Sequence, residues 1–173
     1  AAYPGDKQGI LDYAAFETET LGNYGKAEEL LERILEEEPN DYEALLASGD
    51  NYMAWAEEDP GKYEEARQAY ATLIQRYGQS DLLLFRMLLY FIRTDNLEEV
   101  LRLKNAFQND PGADIDPYVY AELGGYLITR NRVDDVLDIL QRSLELREDI
   151  PDTHYHLARY YRRTEDPGNE RRG

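Results

Sequence analysis

The chain has no cysteine, two histidines, and 19 Lys and Arg against 36 Asp and Glu. Without cysteine there are no disulfides, no thiolate nucleophile and no cysteine metal ligands, a composition that fits a reducing cytoplasm or a bacterial periplasm equally. His154 and His156 stand two residues apart, about 200° round a helix, whereas a helical metal site uses the shared face of i and i+4. Neither a metal nor a cofactor is expected. The formal charge of −17 opposes phosphate backbones, because nucleic-acid affinity rests on Lys and Arg neutralising phosphates, so nucleic acid is not an expected partner. Long apolar runs are absent too. The longest, Leu82 to Ile92, is broken by Arg86 and falls well short of the ~20 residues of a membrane span, so no membrane insertion is expected.

Groups for catalysis are missing in the same way. Glycines form no phosphate-cradling loop: Gly124-Gly125 lies in a helical stretch, and Gly112 and Gly168 follow prolines in turns. Carboxylates occur as charge runs, Glu36-Glu37-Glu38 and Asp134-Asp135, which read as solvated helix faces. A general acid or base needs a carboxyl group tuned by a partly apolar concavity, and nothing in the sequence marks one. The chain is read as non-enzymatic.

What the sequence does hold is self-similarity. Gly-x-Tyr-x-x-Ala occurs at Gly22, Tyr24, Ala27 and again at Gly61, Tyr63, Ala66, each time opening an amphipathic segment. In the first, Ala27, Leu30, Leu31, Ile34 and Leu35 keep helical spacing while Glu28, Glu29, Glu32, Glu36 and Glu37 take the opposite face, which excludes a strand. Pro39-Asn40-Asp41, Asp59-Pro60-Gly61, Asp110-Pro111-Gly112, Asp116-Pro117 and Asp166-Pro167-Gly168 supply turns. Unit starts near Gln8, Tyr42, Asp81, Pro117 and Pro151 are separated by 34, 39, 36 and 34 residues. A period of this size signals stacked supersecondary units.

The small residues explain how such units pack. Helices approach to roughly 8–10 Å only where the crossing residues are small and large neighbours fill the grooves around them. Gly49 with Tyr52, and Ala66 with Tyr70, supply that combination, and Ala15 and Ala27 are expected at the corresponding crossing of the first unit. With Pro39 closing the first unit, these residues resemble the tetratricopeptide repeat family, whose unit is a 34-residue pair of antiparallel helices. The fourth unit keeps Leu123, Gly124 and Ser143, and the fifth keeps Leu157, Ala158 and Tyr161. The third carries Leu88 and Val100 where small residues are expected. The resemblance implies an all-α fold, a right-handed α-solenoid of about four and a half repeats, as one array of units near 8–41, 42–80, 81–116, 117–150 and 151–173. Residues Ala56 to Pro60 account for the 39-residue spacing and are expected to lengthen the first helix of the second unit or its turn. Of the fifteen tyrosines, Tyr24, Tyr52, Tyr63, Tyr70, Tyr126 and Tyr161 are assigned to packing between helices. His154 is given the large first-helix position of the fifth unit, with His156 facing elsewhere. The fifth unit has a first helix and a turn but no second helix, which leaves two readings, a natural cap or a segment of a longer repeat protein. His154, Tyr155, Leu157, Ala158, Tyr160 and Tyr161 make that helix apolar or aromatic over much of its circumference, unlike a polar cap, and favour the segment.

In this family the first helix of each unit lines a concave surface that receives peptides or helices. The resemblance therefore implies a lining of Leu46, Asp50 and Met53, then Leu82, Phe85, Leu89 and Ile92, then Tyr118 and Ile128, and finally Tyr155, Arg159 and Arg162. The positions that clamp a chaperone's C-terminal carboxylate in one branch of the family, with Lys and Asn, are here Asp12, Phe16, Leu46, Asp50, Phe85 and Leu89, which excludes that ligand. The implied function is a non-catalytic scaffold or adaptor, within a larger bacterial or archaeal assembly, binding a protein segment in its apolar groove. Two alternatives stay open: an accessory domain of an enzyme whose catalytic part lies elsewhere, and self-association.

Overall fold

The computed structural model describes residues 6–108, 116–134 and 136–165. Among them the chain is all helical: α1 (Lys7–Glu19), α2 (Tyr24–Glu37), α3 (Tyr42–Trp55), α4 (Tyr63–Tyr77), α5 (Asp81–Arg93), α6 (Leu97–Gln108), α7 (Pro117–Thr129), α8 (Val136–Leu146) and α9 (Pro151–Glu165). The turns Asp110-Pro111-Gly112 and Asp166-Pro167-Gly168, and any second helix of the fifth unit, lie outside the described residues.

Local chemistry sets where helices start and stop. Helix N-termini leave N–H groups without partners, and short acidic or hydroxyl side chains accept from them. Asp6 accepts from the Gln8 N–H, Asp41 from Ala44, Ser80 from Leu83 and Asp116 from Tyr118. Pro117 occupies the first turn of α7, where its missing N–H costs nothing. Two of the turns inside helix pairs share one stop signal. Asp95 and Asn131 take left-handed conformations, φ 60° and 57°, and the next N–H reaches back across the turn, Asn96 to the Phe91 carbonyl at 2.8 Å and Arg132 to Leu127 at 2.9 Å.

The chain divides into two compact units, the first running to Lys104 and the second starting at Asn105. In the first, α1 packs on α2 and α3, α3 on α2 and α4, and α4 on α5. Short connections between successive packed helices make the pairs antiparallel. Ala14, Ala27, Leu30 and Leu31 form the core between α1 and α2, with Ile10, Leu11 and Ala47 against it. The expected Ala15 is exposed and Ala14 is the buried small residue. The reason is that α1 turns Ile10, Ala14 and Glu17 inward, one position off the register assigned from spacing.

At the α3–α4 crossing the partner of Gly49 is Tyr70, not Tyr52. A Cβ at Gly49 would lie 2.4 Å from the Tyr70 ring, so only glycine admits this approach. Tyr70, Ala66 and Leu73 are fully buried there. The five-residue insertion does not extend α3, which ends at Trp55. It forms a turn in which Asp59 accepts from the Gly61 N–H at 3.1 Å, followed by one 3₁₀ turn, Pro60–Lys62. Ala56 within it is buried.

In the second unit α7, α8 and α9 pack mutually. Val119, Leu123, Leu127, Val136, Ile139, Leu140 and Ile150 form its interior. Ser143 donates to the Pro117 carbonyl at 2.8 Å and shares a 2.7 Å hydrogen bond with Thr153, so the two buried hydroxyls satisfy each other. The histidine assignment is reversed: His154 is exposed and His156 packs over Gly125, where a Cβ would stand 2.5 Å from the imidazole. Burial, with Arg159 beside it, lowers the His156 pKa below its ordinary value. Tyr161, assigned to packing, is exposed.

Candidate partner-binding surface

The residues expected to form a lining on α3 and α5 fall into three groups by exposure and contact. Leu82 is exposed, while Leu46, Met53 and Leu89 are half-buried, so apolar atoms reach the surface of α3 and α5. Phe85 and Ile92, 3% and 9% exposed, are interior. α5 is apolar on nearly every face, so its inward arc takes Leu83, Phe85, Leu88 and Ile92 together. Phe85 and Ile92 therefore present nothing to a partner in this structure.

Asp50 forms the third group. Its carboxylate accepts from the Tyr70 hydroxyl at 2.6 Å and from Arg86 twice, Nε at 2.7 Å and Nη2 at 2.9 Å. A bidentate guanidinium contact of this kind fixes both orientation and distance. Asp50 thus joins α3, α4 and α5. Burial and the adjacent carboxylate push the Tyr70 phenol far above its ordinary pKa, which leaves it a permanent donor. Arg86 was legible only as an interruption of an apolar run. A lone guanidinium in such a helix signals a partner, but its carboxylate, 36 residues away, cannot be named without the packing.

A second ionic contact fixes α1 to the start of α3, where Lys7 donates to Asp41 and contacts Glu43 at 2.8 Å. Burial raises the Asp41 carboxyl, but Lys7 and the N–H groups of Ala44 and Glu43 together hold it below its ordinary pKa.

In the second unit Tyr118, Tyr155 and Arg162 are exposed, Arg159 is half-buried, and Ile128 is interior at 1% exposure. Ile128 sits on the side of α7 that faces its neighbours, and its carbonyl accepts from Arg163 at 2.5 Å. The Arg159 guanidinium lies 5.7 Å from the Tyr155 ring centroid, within cation–π reach. Of the residues expected to line a surface here, Tyr118, Tyr155, Arg159 and Arg162 thus have solvent-facing atoms and Ile128 has almost none. Among the described residues no helix is long and apolar enough to cross a membrane, and no group of three or more His, Cys, Asp or Glu could hold a metal.

Comparison with known proteins agrees with this architecture. Family models described as tetratricopeptide repeat match residues 7–51 and 43–80. A crystal structure of a thermophilic TPR protein from Thermus thermophilus is similar, with a TM-score of 0.70 at 16% identity, covering 91% of this chain and 82% of that one. No curated protein matches in sequence. Residues 7–80 thus carry tetratricopeptide repeats, and the chain shares the fold of a TPR protein. Repeats of this family generally mediate protein–protein interaction, and their fold is typically a non-catalytic scaffold.

Proposed function

We propose that the chain is a non-catalytic scaffold whose first unit receives a partner segment on Leu46, Met53, Leu82 and Leu89. The observation that carries this reading is Leu82, a large apolar side chain 38% exposed beside half-buried Leu89. Apolar side chains grouped on a preformed helical face mark interaction surfaces, and a rigid face limits the ordering cost of binding. The Asp50–Arg86–Tyr70 contacts support rigidity, since they hold the three helices that carry or back this surface. On the second unit, Tyr118, Tyr155, Arg159 and Arg162 are proposed as a separate aromatic and basic surface for an acidic segment.

The test is the double substitution Leu46→Glu with Leu82→Glu, assayed by crosslinking pull-down from the source organism and by solution scattering. Both residues have solvent-facing atoms, so the variant keeps its helical circular dichroism. Loss of the partner with scattering unchanged supports the scaffold. Loss of a dimer instead assigns the surface to self-association. A folded variant that binds the full partner set refutes the site.

A further inference from the structure

Three aromatic rings meet at the lengthened turn of the first unit. Tyr24 and Trp55 lie nearly parallel, 21° apart with centroids 6.2 Å distant, and Tyr52 and Trp55 are 9° apart at 6.4 Å. All three are half-buried, so each keeps part of its ring toward solvent. The Lys62 ammonium stands 4.5 Å from the Trp55 centroid and 5.6 Å from the Tyr52 centroid, both within cation–π distance. Carboxylates surround the rings. Glu65 accepts from Lys62 at 3.0 Å, Glu28 accepts from the Tyr52 hydroxyl at 2.8 Å, and Glu32 adds to the negative field at Tyr52.

Electron-rich ring faces ringed by carboxylates make a cation site, and here its occupant belongs to the chain. Lys62 arrives on the 3₁₀ turn that begins at the last residue of the five-residue insertion, and the α5–α6 turn, three residues long, carries no such element. Its hold is loose. The Lys62–Glu65 pair is partly solvated, with side chains 24% and 38% exposed, and pairs of that kind contribute little. The stem is a flexible four-carbon chain that can swing outward without moving the helix behind it.

We propose that Tyr24, Tyr52 and Trp55, with Glu28 and Glu65, form a binding site for the alkylammonium end of a partner's lysine side chain, with Lys62 as a built-in occupant that the partner displaces. The site uses none of the residues of the Leu46 and Leu82 surface and does not depend on that reading. A strongly acidic chain attracts a basic partner from a distance, and the ring shelf gives that attraction a defined place to end. An ammonium is favoured over an apolar group because ring faces and carboxylates both offer negative potential there.

Trp55 is the chain's single tryptophan, so its fluorescence reports the shelf directly. The experiment titrates wild type, Lys62→Ala and Lys62→Gln with N-acetyl-lysine amide, using N-acetyl-norleucine amide and sodium chloride as controls. The expected result is a saturable change for the lysine compound alone, with at least tenfold tighter apparent binding to Lys62→Ala and Lys62→Gln than to wild type. Adding Tyr52→Ala to Lys62→Ala removes it. No saturable response in a folded Lys62 variant, or the same response to norleucine, overturns the proposal. If both Lys62 variants lose their helical circular dichroism, Lys62 is part of the framework and the proposal also fails.

Discussion

Gly49→Ala tests the packing of the first unit at its narrowest point. The added Cβ would sit 2.4 Å from Tyr70 Cε1, 2.8 Å from Cδ1 and 3.0 Å from Cζ, so the ring would have to retreat by about 1 Å to reach ordinary contact. It has nowhere to go. Tyr70 is fully buried, its hydroxyl is fixed on Asp50, and Asp50 is held by Arg86. Overpacking a closed site of this kind costs about 3 kcal/mol, the upper part of the usual range. Replacing a helical glycine by alanine returns about 1 kcal/mol. The net loss is therefore about 2 kcal/mol, which moves a urea midpoint down by roughly 1 M at a typical slope. Trp55 lies on the same helix and its fluorescence follows the transition. Tyr70→Leu makes room, so the double variant should lose clearly less than the sum of the two single losses. An unchanged or raised midpoint for Gly49→Ala would refute the assigned crossing.

Other outcomes follow from the same contacts. Asp50→Ala leaves the buried Tyr70 hydroxyl without its acceptor and should cost about 1–3 kcal/mol in the same melt. Phe85→Glu places a charge at a 3% exposed position and unfolds the first unit by circular dichroism, whereas Leu82→Glu stays within about 0.5 kcal/mol of wild type. The His156 imidazole has a folded pKa below its ordinary 6.5, so the unfolded chain takes up the proton first. Its contribution is full above pH 6.5, and stability falls as pH drops through that value, levelling off below the folded pKa. Thermal melts of wild type and His156→Phe between about pH 7.5 and about pH 5.5, a window that brackets the ordinary histidine pKa, check this, with the substituted chain expected to lose that slope.

The helices were legible because their signals are local. Apolar residues at helical spacing with an acidic opposite face place α2, and the proline turns at Pro39, Pro60 and Pro117 mark where one helix gives way to the next. Gly49 was legible as a crossing residue because size alone decides close approach, yet its partner was misassigned to Tyr52, since which large side chain fills the groove depends on the rotation of the facing helix. The same rotation moved the small position in α1 from Ala15 to Ala14 and exchanged the roles of His154 and His156. The lining was read from family geometry applied to each helix in turn. A helix that is apolar all round, as α5 is, gives no sign in its sequence of which arc is inside, and Phe85 and Ile92 are interior. Contacts set by packing, Arg86 to Asp50 across 36 residues and Lys62 folded back over Trp55 across the turn, have no sequence signature beyond the charged residue itself.

Site-specific photo-crosslinking tests the scaffold reading most directly. A photoreactive amino acid is placed singly at Leu46, at Leu82, and at Glu36, which lies on the exposed acidic face of α2. The expected result is the same partner band from the Leu46 and Leu82 positions, none from the Glu36 position, and loss of both bands when Leu89→Glu is added. Equal capture from the Glu36 position, or bands at Leu46 and Leu82 that survive Leu89→Glu in a folded chain, would contradict it.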